Sequence, residues 1–274
     1  MAPFYSIIVV CLNPGEKLAD TVKSIKLQTE QDYEILVKDG ISTDGAVDEL
    51  AKRQDNQIRI VRKADKGIYD AMNQAIREAK GQYVLFLNCG DRFYDDMVLE
   101  KMRQEISSIQ QEVPEHKIFY GDIWERLTSQ KVASNPKLDD FGCYRNVPCH
   151  QACFYAKELL LEHPFLLEYK VRADYEQFLW CYFTGKANPQ YVDILIADYE
   201  GGGFSETKEN RKLSNREHRR IVEKYMTKGQ ILKYRLILWL TFAGLRTWIA
   251  RNEKTAKCYN WCKQLIYRRK TKKE

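Results

Sequence analysis

The chain has 274 residues, with a hydrophobic fraction of 44% and 12% aromatic residues, a composition that supports a packed core and excludes a wholly disordered chain. Its formal net charge of +6 is unevenly spread: residues 211–274 hold 19 Lys and Arg against 4 Asp and Glu, a balance of +15, while the preceding 210 residues carry −9. A basic appendage on an acidic body implies an anionic partner for the appendage alone, and no nucleic acid is expected as a partner.

The N-terminal Met1-Ala2-Pro3-Phe4 puts no basic stretch before its short apolar run Ile7 to Cys11, which predicts neither a signal peptide nor a membrane span and leaves the body cytoplasmic. The eight cysteines lie partly inside apolar runs and read as reduced thiols. The first hundred residues alternate apolar strand-like runs with helical periodicity, the pattern of βαβ units and a mainly parallel sheet. Strands are predicted at Tyr5 to Cys11, Tyr33 to Lys38, Gln57 to Val61 and Tyr83 to Asn88, with helices at Glu16 to Gln28 and Gly67 to Ala79. Ligands of such sheets bind beyond the carboxyl ends of the strands, so Asn13, Asp39 and Asp91 are expected to face one crevice.

From Phe93 onward the alternation weakens. A polar helix runs to about Gln111, strands follow near Ile118 to Trp124 and Lys131 to Ala133, and an irregular stretch reaches Pro148. A strand is then predicted at Gln151 to Tyr155, a helix at Ala173 to Phe183 and a strand at Tyr191 to Asp198, ahead of Gly201-Gly202-Gly203; beyond Ser205 the chain reads as helix.

Three signals carry chemistry. Lys38-Asp39-Gly40-Ile41-Ser42-Thr43-Asp44-Gly45 follows a strand; Ser42, Thr43 or Asp44 can cap the next helix, while Asp39, ending a buried strand, is placed to accept an N–H of a nucleotide base. In Ala64 to Ile76, Asp70, Asn73 and Arg77 share one helical face, either as a solvated stripe or as donor contacts. The apolar strand Leu85-Phe86-Leu87 stops at Asn88-Cys89-Gly90-Asp91, where one carboxylate can join a Mg²⁺ or Mn²⁺ ion to substrate phosphates or can simply accept backbone N–H bonds in a turn.

Together with Cys11 to Asn13, His150-Gln151, Arg172-Ala173-Asp174-Tyr175 and Gly201-Gly202-Gly203-Phe204-Ser205, these blocks resemble family 2 glycosyltransferases of the GT-A fold, in particular bacterial capsule, colanic-acid and O-antigen sugar transferases. The resemblance covers residues 5 to about 205. It implies an α/β fold with a mainly parallel, mixed sheet flanked by helices. Residues 1–210 would be the catalytic domain, with 1–92 binding the nucleotide sugar and 93–210 the acceptor, and 211–274 a basic helical appendage. It implies donor contacts at Cys11, Asn13, Asp39, Lys66, Asp70, Asn73, Asn88 and Asp91, with Asp91 also the ligand of Mn²⁺ or Mg²⁺. Asn88 and Gly90 stand where the family often has Asp, which leaves one acidic ligand. Asp174 takes the place of the general base of inverting members, and His150, Gln151, Gly202 and Ser205 that of the acceptor site. The donor is expected to be a UDP-sugar, with a GDP-sugar as the other option, and the acceptor a polyprenyl-linked saccharide. A nucleotidyltransferase, or an inactive membrane-docked sugar-nucleotide binder, is the competing reading.

In the appendage, Ile231 to Ile249 contains the apolar run Leu236 to Leu245 between Arg235 and Arg246, with Trp239, Trp248 and Trp261 nearby. Ten apolar residues cannot cross a bilayer, so the segment is expected to lie on an anionic leaflet at the inner face of the cell membrane.

Overall fold

The computed structural model describes residues 2–114, 116–201 and 208–241, together with residues 255 and 261. Nine strands of these residues form one sheet: β1 (Tyr5–Cys11), β2 (Tyr33–Asp39), β3 (Ile58–Arg62), β4 (Tyr83–Phe86), β5 (Arg92–Phe93), β6 (Ile118–Glu125), β7 (Gln130–Val132), β8 (Cys153–Ala156) and β9 (Gln190–Tyr199). Their order is β3-β2-β1-β4-β8-β6-β9-β5, with β7 paired to β6. Strands β1 to β4 are mutually parallel, as are β6 and β9, whereas β8 runs antiparallel between β4 and β6. The helices are α1 (Glu16–Lys26), α2 (Ala46–Ala51), α3 (Ile68–Glu78), α4 (Val98–Glu112), α5 (Asp140–Arg145), α6 (Lys157–Glu162), α7 (Ala173–Phe183), α8 (Lys208–Tyr225) and α9 (Lys228–Leu240).

The central strands are buried on both faces, which is why they read as continuous apolar runs. The polar side chains among them are satisfied locally, as buried polar groups must be. Ser6 Oγ donates to Glu34 Oε1 at 2.6 Å, and Glu34 also pairs with Arg59 at 3.1 Å. Lys38, fully buried, pairs with Asp65 Oδ2 at 3.0 Å. Gly81 enters β4 so close to β1 that a Cβ there would lie 2.4 Å from the Ser6 nitrogen.

β1 and α7 have the bounds their patterns predict, and most other elements differ by a residue or two. The strand expected from Gln151 begins at Cys153, because His150–Ala152 form a 3₁₀ turn. The cap of α2 is Gly45, at φ 82°, and not one of the three residues before it; Asp44 instead accepts the Gly15 and Ala46 N–H groups at 2.7 and 3.2 Å. Helices α5 and α6 interrupt stretches with no helical period, since six residues are too few to display one.

Beyond residue 210, where the catalytic domain is expected to end, α8 and α9 pack on the body. Ile221, Val222, Met226, Ile231 and Tyr234 are buried in the same core cluster as the sheet. Glu176 on α7, its side chain wholly buried, accepts hydrogen bonds from Lys224 at 2.6 Å and Tyr225 at 2.5 Å on α8 and meets His163 Nε2 at 3.0 Å. Burial alone would raise the Glu176 carboxyl; these three partners hold it below its ordinary value. Glu217 on α8 receives the backbone N–H groups of Lys170, Val171 and Arg172 at 2.8, 3.0 and 2.9 Å, and so sets the chain immediately ahead of α7. Replacing Glu217 by Ala strips these donors of a shared acceptor and is expected to cost about 2–4 kcal/mol. A denaturant midpoint that falls with an unchanged slope is the expected result, and an unchanged midpoint would remove Glu217 from this role.

Candidate active site

The carboxyl ends of the parallel strands meet at one edge, with Cys11 of β1 directly in register with Asp39 of β2. The loops beyond them are laced together. Asn13, at φ 49°, accepts the Thr43 N–H on its Oδ1 at 2.8 Å, and its own N–H donates to Ser42 Oγ at 2.8 Å. The Cys11 carbonyl accepts the Gly40 N–H at 2.9 Å. Asp39 is fully buried: Oδ1 accepts the N–H and the hydroxyl of Ser42 at 2.8 and 2.6 Å, and Oδ2 accepts Arg62 Nε at 2.7 Å. Burial acts to raise its carboxyl, but Ser42 and Arg62 more than offset this and leave it low.

The motif on α3 divides by role. Asp70 accepts the Lys66 N–H at 2.9 Å and Gln74 Nε2 at 3.1 Å, closing the turn in which Lys66 is exposed. Asn73 is buried and spends both ends of its amide on the backbone of Phe165, at 2.8 and 2.9 Å, which makes it a brace between α3 and the chain leading to α7. Arg77 is exposed. The three residues of the predicted stripe therefore do not act as one set. Tyr69, on the same helix, reaches the other half of the molecule, 2.9 Å from Asp174 Oδ1 and 3.0 Å from the Val171 carbonyl.

Asp91 sits where the two halves join and is 3% exposed. Its Oδ2 accepts Gln151 Nε2 and its Oδ1 the Glu200 N–H, each at 2.9 Å. Thr21 on α1 fixes the same turn, donating to the Asp91 carbonyl at 2.8 Å and accepting the Gly90 N–H at 3.0 Å. Gly90 has φ 100°, and a Cβ there would meet Glu200 Oε2, which is paired with Lys17 at 2.7 Å. Only glycine suits both demands. Burial pushes the Asp91 carboxyl up despite its donors. Gln151, expected at the acceptor, is itself buried, its Oε1 taken by the Cys149 thiol at 2.7 Å.

Asp174 lies in the first turn of α7 with its side chain 31% exposed. His150 Nδ1 is 3.4 Å from its Oδ2, and Asn88 Nδ2 stands 3.2 Å from His150 Nε2. His150 therefore lies between the Asn88 amide on its Nε2 side and the Asp174 carboxylate on its Nδ1 side. The result is a chain from Asn88 through His150 to Asp174, closed on the other oxygen by Tyr69. Burial tends to raise the Asp174 carboxyl, but His150, the Tyr69 hydroxyl and the Tyr175 N–H together hold it low. His150 was expected to touch the acceptor; the structure gives it contacts with Asn88 and Asp174. That pairing joins residues 62 and 24 positions from His150, a separation no local pattern reveals. Gly202 and Ser205 lie outside the described residues.

Among the described residues no three His, Cys, Asp or Glu side chains cluster to hold a metal ion. The donors fit a divalent ion in one way. A carboxylate has about four lone-pair sites, of which Asp91 commits two, and the neighbouring Asn88 Oδ1 is buried with no hydrogen-bond partner. Mg²⁺ and Mn²⁺ need only one or two protein oxygens when a diphosphate supplies others.

A sheet whose parallel strands end in polar loops, with a second carboxylate carried by a helix of the other half, fits the GT-A fold. The sequence model of the family described as "Glycosyl transferase family 2" matches residues 6–158, and the chain belongs to that family; the nucleotidyltransferase reading falls with this membership. A "PGL/p-HBAD biosynthesis glycosyltransferase" of Mycobacterium tuberculosis is 32% identical over 255 residues, covering 90% of this chain and 91% of the relative. The S. aureus TarS 1–349 structure in complex with UDP-GlcNAc shares the fold at a TM-score of 0.63 and 18% identity, covering 82% of this chain and 68% of that one. The mannosyltransferase PcManGT of Pyrobaculum calidifontis, in complex with GDP-Man and Mn²⁺, does so at 0.53 and 17%, covering 71% and 55%.

The pairing of His150 with Asp174 has a measurable consequence. With His150→Ala the hydrogen bond from the imidazole is lost while burial remains, so the carboxyl is expected to move upward. The acid limb of kcat/KM, which reports the free enzyme's base, is expected to shift to higher pH. A limb that stays in place would separate His150 from the base.

Proposed function

We propose that the chain is an inverting transferase that moves a sugar from a nucleoside-diphosphate sugar, a UDP-sugar in preference to a GDP-sugar, onto a hydroxyl of a polyprenyl-linked glycan in the assembly of bacterial surface polysaccharide. The observation that carries the reading is the Asp174 carboxylate, partly exposed at the start of α7 and held from both oxygens by Tyr69 and His150. An acceptor hydroxyl is a poor nucleophile, and a fixed carboxylate that takes its proton as the bond forms contributes about 10²–10⁴-fold.

In this mechanism the acceptor oxygen attacks the anomeric carbon, its proton passes to Asp174, and the bond to the diphosphate oxygen breaks. Attack opposite the leaving group inverts the anomeric centre in a single displacement. A carboxylate below its ordinary pKa is fully charged but weakly basic, so the proton moves late, once the forming bond has made the hydroxyl acidic. Position therefore matters more than basicity, and Tyr69, His150 and Glu217 supply it. The laced loops around Asn13, Asp39 and Ser42 are the nucleotide side of the crevice, and Lys17, in the first turn of α1, and Lys66, in the turn ahead of α3, are exposed cations near that edge. Asp91, with Asn88 beside it, would hold a Mg²⁺ or Mn²⁺ ion, which when bound neutralises charge on the departing diphosphate. The donor bound by TarS and the ion bound with GDP-Man by PcManGT favour these assignments by fold alone.

Asp174→Asn keeps the size of the side chain and removes the proton acceptor. Donor binding is expected to persist while release of nucleoside diphosphate from a panel of UDP-, GDP- and dTDP-sugars drops at least about 100-fold; a variant retaining a tenth of wild-type kcat would sink the base assignment. Transfer is also expected to require Mn²⁺ or Mg²⁺ and to lose that requirement, along with tight donor binding, in Asp91→Ala. Full turnover in excess chelator would instead assign the leaving-group charge to cations such as Lys17 and Lys66.

A further inference from the structure

Helix α9 has two apolar faces. At about 100° per residue, Ile231, Tyr234 and Leu238 fall on one side, where Ile231 and Tyr234 are buried. The Tyr234 ring packs 5.4 Å from Phe141 and 5.3 Å from Tyr144, both on α5. Leu232, Leu236, Trp239 and Leu240 fall within an arc of about 100° on the other side, and all four are exposed, Leu232 by 70% and Trp239 by 74%. Exposed Lys228, Lys233 and Arg235 stand at the edges of that arc. The sequence expectation of one apolar segment lying on a surface is thus corrected: Ile231 and Tyr234 belong to the body, and only the outer face is free among the described residues.

We propose that this outer face is a docking surface for an anionic lipid leaflet, entering the headgroup region with its leucines and Trp239 while the edge cations meet the phosphates. Charge complementarity selects the occupant. Residues 242–274 add ten Lys and Arg against two Glu, so folding them back over a face rimmed by cations sets like charges together. A second copy meeting this face about a twofold axis would likewise bring Lys228, Lys233 and Arg235 against their own counterparts. An anionic surface is attracted to the same rim, at full strength only within a Debye length of it. No helix of the described residues is long and apolar enough to cross a membrane, and an apolar arc with an aromatic ring and basic edges is the pattern of a helix lying in the interface plane.

The inference stands apart from sugar transfer, because vesicle binding is read without donor or acceptor. Full-length chain is sedimented with phosphatidylcholine vesicles containing phosphatidylglycerol, and with phosphatidylcholine alone. The expected result is pelleting with the anionic vesicles only, reduced by salt, and weakened at least about tenfold by the double substitution Leu236→Glu and Trp239→Glu. Because both side chains are exposed, the variant should keep its thermal midpoint and its turnover on a short soluble acceptor. Failure of the wild type to pellet, or equal pelleting of wild type and variant, would overturn the proposal. So would a wild-type dimer in light scattering that the double substitution converts to monomer, which would make the face an interface between copies.

Discussion

A carboxylate taken out of water must find hydrogen-bond donors, and at Asp91 and Asp174 some of those donors come from the opposite half of the molecule. Asp91, at the end of the first four strands, is met by Gln151 and by the backbone of Glu200, both from the second half. Asp174 on α7 is met by Tyr69 of α3. Glu217 of α8 gathers the N–H groups that lead into α7. The Asp91 and Asp174 contacts make one half complete only when the other is in place, so the two halves are joined by hydrogen bonds as well as by the shared sheet.

The same demand explains the division of labour among acidic residues. Asp39 and Glu176 are fully buried, and their oxygens are spent on neighbours that keep them charged. Asp174 keeps an open edge. Exposure thus separates the carboxylate suited to take a proton from those suited to hold a loop or a helix, although all of them sit at strand or helix ends that look alike in one dimension.

The strand ends, the Asp39 and Asp91 turns and α7 were legible because each is carried by a local pattern: an apolar run broken by Gly and Asp, or a helix with apolar spacing. What was not legible depends on long-range partners. Glu34 and Lys38 are charged residues inside β2, and both are buried because Ser6, Arg59 and Asp65 lie across from them. Asn73 shares a helical face with Asp70, but Phe165, distant in sequence, takes its amide. The charge excess after residue 210 marks a basic appendage but not how it packs: Val222, Ile221 and Glu217, spaced through the basic run, tie α8 to the core.

Helix α9 is clamped to α5 through Tyr234, and α8 is clamped to α7 through Glu176. Whatever the outer face of α9 rests on, the crevice does not swing from it on a leash. Its height and tilt above that surface are set by the protein's own packing, which holds the Asp174 carboxylate at one elevation. On the proposed reading, a glycan growing from that surface would be served only over the span of its length that brings a hydroxyl to that level, and the packed join between α9 and the body would act as a gauge of chain length.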